Sequence, residues 1–297
     1  MSVNAISKSS ERPSRETGSL VKSVSVISTG TGEGHWEHIH GSRKPALWWI
    51  FFGKRWVKLP LNVFVIEHSN GLVLFDAGQD RAVMTNPDYW PEGITGTIMR
   101  NLFRFDIGPD ETLSMQLEKL GYSTADVSTA VFSHLHLDHT GSIGEILHAD
   151  LIVSNEAWEH MLGPHPEREA VFRRDIELPG AKWQQIDFEP ADDPSLAPFE
   201  YAYDLMGDGS MVLLPTPGHG VGSISMLVRR DSSPPLLLIG DLTYRTEFLE
   251  RFQFPGTGDK KKLRASFEKV LALKKRMPDL VILASHDPGA AEALSRF

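Results

Sequence analysis

The chain contains no cysteine, which removes disulfides, thiolate metal ligands and cysteine nucleophiles before any motif is considered. It also has no long apolar run. The stretches Pro45 to Phe52 and Leu236 to Ile239 fall far short of the roughly 20 residues that cross a bilayer, and no membrane partner is expected. An excess of positive charge is missing too. Thirty Lys and Arg face 39 Asp and Glu, a formal net charge of −9, so a phosphate backbone repels the chain as a whole and no nucleic-acid partner is expected. The N-terminus, MSVNAISKSSERPSRETGS, lacks the apolar segment of a secretory signal, which leaves a cytoplasmic location as the expectation. What is there is 297 residues with 41% apolar and 23% charged content, an ordinary globular composition whose chemistry must come from His, Asp, Glu, Ser, Tyr and Lys.

Residues 1–22 read as a flexible solvated arm, because their polar composition buries too little surface to offset the entropy of ordering. The folded part is expected to start near Val21. No linker or internal repeat divides the remainder of the chain, so 23–297 reads as a single domain. Apolar runs of strand composition recur at Asn62 to Ile66, Leu72 to Phe75, Thr129 to Phe132, Leu151 to Val153, Met211 to Leu214, Ile224 to Val228, Leu236 to Ile239 and Leu280 to Leu283. Ser69-Asn70-Gly71 and Asp231 to Pro235 predict hairpin turns. Asp110 is placed to cap a helix with Leu113, Leu117 and Leu120 on one face and Gly121 at its end; a second helix is predicted from Lys260 to Met277, stopped by Pro278. Hairpins with interleaved helices predict mixed sheets covered by helices, not a purely parallel doubly wound sheet.

The chemistry concentrates in Ser133-His134-Leu135-His136-Leu137-Asp138-His139-Thr140-Gly141, directly after the apolar run Ala130-Val131-Phe132. In an extended segment His134 and His136 point to one side, since side chains alternate with period two. Asp138 and His139 come next, and imidazole with carboxylate is the usual donor set for a divalent transition metal. Four donors within six residues exceed what one tetrahedral ion takes from so short a loop, so two adjacent ions are inferred. Further donors stand in a repeated context, each after a buried strand: Asp76 after Leu72 to Phe75, His219 after Met211 to Leu214, Asp241 after Leu236 to Gly240, and His286 after Leu280 to Ser285. Donors at the ends of several strands converge along one sheet edge.

This ordered series resembles the metallo-β-lactamase-fold hydrolases over essentially the whole chain after the arm. The resemblance implies an α/β architecture, an αββα sandwich of two mixed β-sheets flanked by helices. It also implies two divalent metal ions, Zn2+ by expectation: His134, His136 and His219 hold one, Asp138, His139 and His286 the other, Asp241 bridges them, and Asp76 orients the ligands. Branches using a cysteine ligand, a glutamate at the position of His136, or a basic nucleic-acid surface do not match. Thr216-Pro217-Gly218-His219-Gly220, Asp241-Leu242-Thr243-Tyr244 and Ser285-His286-Asp287 are most similar to the N-acyl homoserine lactonases, the quorum-quenching type. That likeness implies a zinc-dependent lactonase acting on a small-molecule ester or lactone. A hydroxide bridging the ions attacks the carbonyl, Tyr244 contacts the carbonyl oxygen and Asp138 shuttles the proton. The alternative is a phosphotriesterase-like or thioester hydrolase. Leu137 departs from the aromatic residue that some lactonases carry there.

Other features carry less. His35, His38 and His40 imitate a metal cluster but lack the strand context, and are read as loop histidines. The aromatic run Trp48 to Trp56 reads as a core-facing strand or a homodimer contact, or else as the apolar wall of a substrate pocket. Gly30-Thr31-Gly32-Glu33-Gly34 has no Lys-Ser/Thr after it and is no phosphate loop.

Overall fold

The structure, a computed structural model, describes residues 20–297. Residues 1–19 of the expected arm lie outside the described residues, while Val21 and Lys22 already belong to the first strand. Among the described residues no helix is long and apolar enough to cross a membrane.

Two sheets face each other. The first holds β1 (Val21–His35), β2 (Trp56–His68), β3 (Gly71–Phe75), β4 (Phe103–Asp106), β5 (Val127–Val131), β6 (Asp150–Ser154) and β7 (Lys182–Ile186), in the order β4-β1-β2-β3-β5-β6-β7. The second holds β8 (Glu189–Pro190), β9 (Tyr201–Asp204), β10 (Met211–Pro215), β11 (Ile224–Arg230), β12 (Ser233–Leu238) and β13 (Val281–Leu283), in the order β13-β12-β11-β10-β9-β8. Both are mixed: β3, β5, β6 and β7 run parallel, as do β12 and β13, and the other pairs are antiparallel.

Period-two alternation explains the layering. Phe64 and Ile66 on β2 and Val73 and Phe75 on β3 face Met211, Leu213, Met226 and Leu238 of the other sheet, and all are buried. Their neighbours Val63, Val65, Leu72 and Leu74 point the other way, under the helix Leu113–Lys119 and the residues Ile143 and Ile146. Val212, Leu214, Leu227 and Leu237 likewise turn outward beneath Leu263, Phe267, Val270 and Leu273 of the helix Lys260–Arg276. The result is an αββα sandwich, as expected.

Several local expectations shift. Strand β1 was not legible, because VKSVSVISTGTGEGH is rich in Ser, Thr and Gly. It is held by antiparallel pairing along nearly the whole of β2, with a register shift between Ser28 and Thr31 that Gly30 accommodates at φ +112°. Thr112, not Asp110, caps the helix Leu113–Lys119 by accepting from the Met115 N–H, and Asp110 pairs with Lys119 at 3.8 Å instead. Leu120 falls past that helix and is exposed. The aromatic run is not a strand up to Trp56. Ala46–Phe52 is a helix with Trp49 and Ile50 turned inward, and β2 begins only at Trp56. Neither Trp48 nor Phe52 lines the cavity beside His136, His219 and His286, so the pocket-wall reading is withdrawn.

Candidate metal centre

Every donor read from the sequence sits just past a strand, and the strand ends bring them to one edge of the sandwich. Asp76 follows β3 in a left-handed conformation at φ 65° and is fully buried. Its Oδ1 accepts from the Ser133 N–H at 2.7 Å; its Oδ2 accepts from the Ser133 hydroxyl at 3.0 Å, the Ser285 hydroxyl at 3.1 Å and His139 Nδ1 at 2.8 Å. One carboxylate thus ties β3 to the loops after β5 and β13. Gly240, which precedes Asp241, has φ +52°, and a Cβ there would come within 2.6 Å of Ser133 Cβ.

These bonds set which nitrogen of each ring faces the site. The Ser133 hydroxyl donates to Asp76, so His134 Nδ1, 3.0 Å away, donates to the Ser133 oxygen and its Nε2 faces inward. His139 donates through Nδ1 to Asp76, and His286 through Nδ1 to the Pro60 carbonyl at 2.8 Å. His136 Nδ1 then lies 2.9 Å from His134 Nε2 and 3.1 Å from His219 Nε2. Asp241 is placed between the halves, 3.4 Å from Nε2 of both His139 and His219 and 3.2 Å from His286 Nε2, which is also 3.3 Å from Asp138.

Three groups emerge whose ligand atoms lie within 4.8 Å of one another: His134 with His136 and His219, His134 with His139 and Asp241, and Asp138 with His139 and His286. The donors fit metal ions on a further observation. His139 Nε2 and Asp241 Oδ1 are buried and face each other at 3.4 Å without making a hydrogen bond, a state that buried polar atoms rarely keep without a further ligand.

The electrostatics divide the same way. Burial, reinforced by neighbouring imidazoles, holds His134 well below the ordinary histidine range, and burial takes His219 down to about 3, so both present lone pairs. For His286 burial is outweighed by Asp241 and Asp138, which push it up to about 10. His139 is likewise held well above its ordinary value by Asp76, Asp241 and Asp138, against burial. Burial also opposes the charge on Asp138 and Asp241, yet His139 and His286 keep both carboxyls below their usual range. The carboxylates demand positive charge, which protons or metal ions can supply.

A cavity of about 450 Å³ opens onto the cluster at His136, Asp138, His219, Asp241 and His286. Its apolar side includes Leu59, Leu61, Met99, Leu102, Phe103 and Phe105, and Tyr244 lies at the end that meets the His and Asp donors. The Tyr244 ring is 5.8 Å from that of His219 and 5.7 Å from that of His286. Burial, with Asp241 and Asp138 nearby, raises the phenol well above 10, so it keeps its proton. Its oxygen is 3.1 Å from His38 Nε2.

His38 corrects the loop-histidine reading. It is buried on the short helix Trp36–His40, lines the cavity, and is lowered to about 4 by burial. Nothing in its sequence neighbourhood marks it, because its partner Tyr244 lies more than 200 positions away. His35 and His40 do not reach the cavity: His35 bonds the Asn101 carbonyl, and His40 stacks on Trp36.

The profile of the Metallo-beta-lactamase superfamily matches residues 57–286. The N-acyl homoserine lactonase AttM of Rhizobium radiobacter is 31% identical over 248 residues, covering 78% of this chain and 84% of the relative. A probable metallo-hydrolase of Mycobacterium tuberculosis is 30% identical over 250 residues, 78% of this chain and 76% of the relative. Among solved structures, an N-acyl homoserine lactone hydrolase with N-hexanoyl-L-homoserine at its catalytic metal centre superposes with a TM-score of 0.73 at 20% identity, over 92% of this chain and 96% of that one. The two facing sheets, the donors gathered at their edge and a profile that spans most of the sequence agree: this chain belongs to the metallo-β-lactamase superfamily.

Proposed function

We propose that the protein is a dinuclear metal-dependent hydrolase that opens the ring of an N-acyl homoserine lactone or a related lactone. The observation that carries this reading is the cavity itself. An apolar wall suited to an acyl chain ends on a polar floor where metal-type donors and the Tyr244 hydroxyl meet. Relatives at about 30% identity that are named lactonases support it.

In this reading His134, His136 and His219 would hold one divalent ion, Asp138, His139 and His286 would hold a second, and Asp241 would supply a carboxylate to both; Zn2+ suits the donor set. When bound, the ions supply Lewis acidity and lower the pKa of a water from 15.7 to roughly 7. The chain's residues do the rest. Asp76, Ser133 and Pro60 fix the rings of His134, His139 and His286 so that no reorganisation is needed during reaction. The apolar wall excludes water and seats the acyl group. The Tyr244 phenol, protonated at neutral pH, donates to the carbonyl oxygen as negative charge develops there. With its ring proton on Nε2, His38 donates to the Tyr244 oxygen 3.1 Å away, which leaves the phenolic hydrogen free to point at the substrate. Asp138, ionised and partly solvent-facing, takes the proton from the attacking water and returns it to the ring oxygen as the ester C–O bond breaks.

Metal content and turnover on a panel of lactones, thioesters and aryl phosphotriesters test the reading. About two equivalents of transition metal with preferential lactone turnover are expected. Full metal occupancy with thioester or phosphotriester turnover far above any lactone would overturn the substrate assignment and leave the metal centre intact.

A further inference from the structure

The helix Ala46–Phe52 departs from the usual pattern of a surface helix by being apolar on both faces. Trp49 and Ile50 face inward, while the outer face is built from Leu47, Trp48, Phe51 and Phe52, which are 59%, 42%, 42% and 66% exposed. These positions pair at i and i+4, so they form one continuous apolar face. Trp48 and Phe52 lie 6.2 Å apart, centroid to centroid. A contiguous exposed patch of this kind marks a contact surface.

Charge identifies the contact. Between Glu37 and Glu67 the sequence has no acidic residue, yet it carries Arg43, Lys44, Lys54, Arg55 and Lys58, within a chain whose net charge is −9. Lys58 is engaged by Glu33 at 3.6 Å. Arg43 and Lys44 precede the helix, Lys54 and Arg55 come after it, and all four are exposed. Lys44 lies over the Trp48 ring at 3.5 Å. Tryptophan and phenylalanine flanked on both sides by Lys and Arg are the composition of a segment that lies in a membrane interface, rings at the headgroup boundary and cations on anionic lipid. Pairing this face with its own copy about a two-fold axis would oppose the two sets of cations, which disfavours self-association.

Position adds a further reason. The helix packs against the helix Gly93–Leu102, whose Met99 and Leu102 form part of the cavity wall and whose Ile94 is itself 70% exposed. We propose that the segment Arg43 to Arg55 docks the protein on an anionic lipid surface, lying in its interface without crossing it. Such docking does not depend on the lactone assignment.

Co-sedimentation with vesicles tests it. The protein should bind vesicles of phosphatidylcholine with about one quarter phosphatidylglycerol, bind pure phosphatidylcholine far more weakly, and be released by salt. Brominated lipid should quench tryptophan emission, and W48F should abolish most of that quenching. The double variant K44E/K54E should weaken binding by at least roughly 30-fold, the effect of about 1 kcal/mol per cation, and W48A/F52A should bind no better. Thermal melting and metal content show that each variant is folded. No binding to anionic vesicles by the wild-type protein overturns the proposal. So does a dimer, seen by analytical ultracentrifugation, that W48A/F52A dissociates, because the face is then covered by a second copy.

Discussion

Gly34 to His40 and Ser133 to His139 each carry three histidines in seven residues, yet one segment lies in a carboxylate cage and the other in an aromatic one. Around His134, His136 and His139 stand Asp76, Asp138 and Asp241. Around His35, His38 and His40 stand Trp36, Trp49, Trp56 and Phe248. Among carboxylates, His139 is held toward positive charge against its burial, while burial keeps His134 beside it neutral with its lone pair free for a metal; among aromatics, burial keeps His38 neutral and it acts by packing and a hydrogen bond. Histidine spacing alone therefore does not make a metal centre. What the strand ends bring alongside the histidines does.

The largest effect should come from stripping the carboxylate-rich segment of its charge balance. Dialysis against a chelator should remove close to two equivalents of transition metal, abolish hydrolysis and lower the melting temperature, since a ligand present at about 100 times its Kd contributes about 2.7 kcal/mol. Asp241→Asn should deplete both ions together, as metal analysis reports. Depletion of one alone would remove Asp241 from between them.

Asp76→Asn comes next. It keeps the shape but removes the charged acceptor for His139 Nδ1 and for Ser133 and Ser285. Metal affinity, measured by competition with a chromophoric chelator, should fall about 10- to 100-fold. Unchanged affinity would show that backbone geometry alone orients the ligands.

Tyr244→Phe should leave metal content intact and lower kcat on a lactone about 10- to 100-fold, or roughly 1.4 to 2.7 kcal/mol, with a smaller change in KM. Wild-type turnover with full metal content would take Tyr244 out of the mechanism.

Smaller still is the aromatic segment. His38→Ala should cost roughly 3- to 10-fold in kcat through misplacement of the Tyr244 hydroxyl, a loss comparable to one neutral hydrogen bond. His38→Gln, which keeps a donor, should restore part of it, and neither should matter once Tyr244 is Phe. An additive double mutant would mean that His38 acts only through packing. His40→Ala should leave kcat and metal content within about two-fold; a larger loss of metal would erase the contrast between the two segments.

Much of the sandwich was readable because buried strands carry their own periodicity: Phe64 and Ile66 alternate with Val63 and Val65 whatever they pack against. Strand β1 was not, since its Ser, Thr and Gly residues have no such pattern and gain their structure from β2 and β4. The helix Ala46–Phe52 misled for the opposite reason, being apolar on both faces, so that periodicity could not distinguish strand from helix or inside from outside.

Local sequence already marks which residues could become ligands. His134, His136, Asp138, His139, His219, Asp241 and His286 each come after a strand that must be buried, and burial leaves the residue beyond the strand end at the sheet edge. Packing of distant segments sets which nitrogen each ring presents, gathers Ser133, His139 and Ser285 around Asp76, and brings His38 to Tyr244. Those contacts join segments far apart along the chain. Their geometry depends on how two sheets pack, and local pattern carries no record of it.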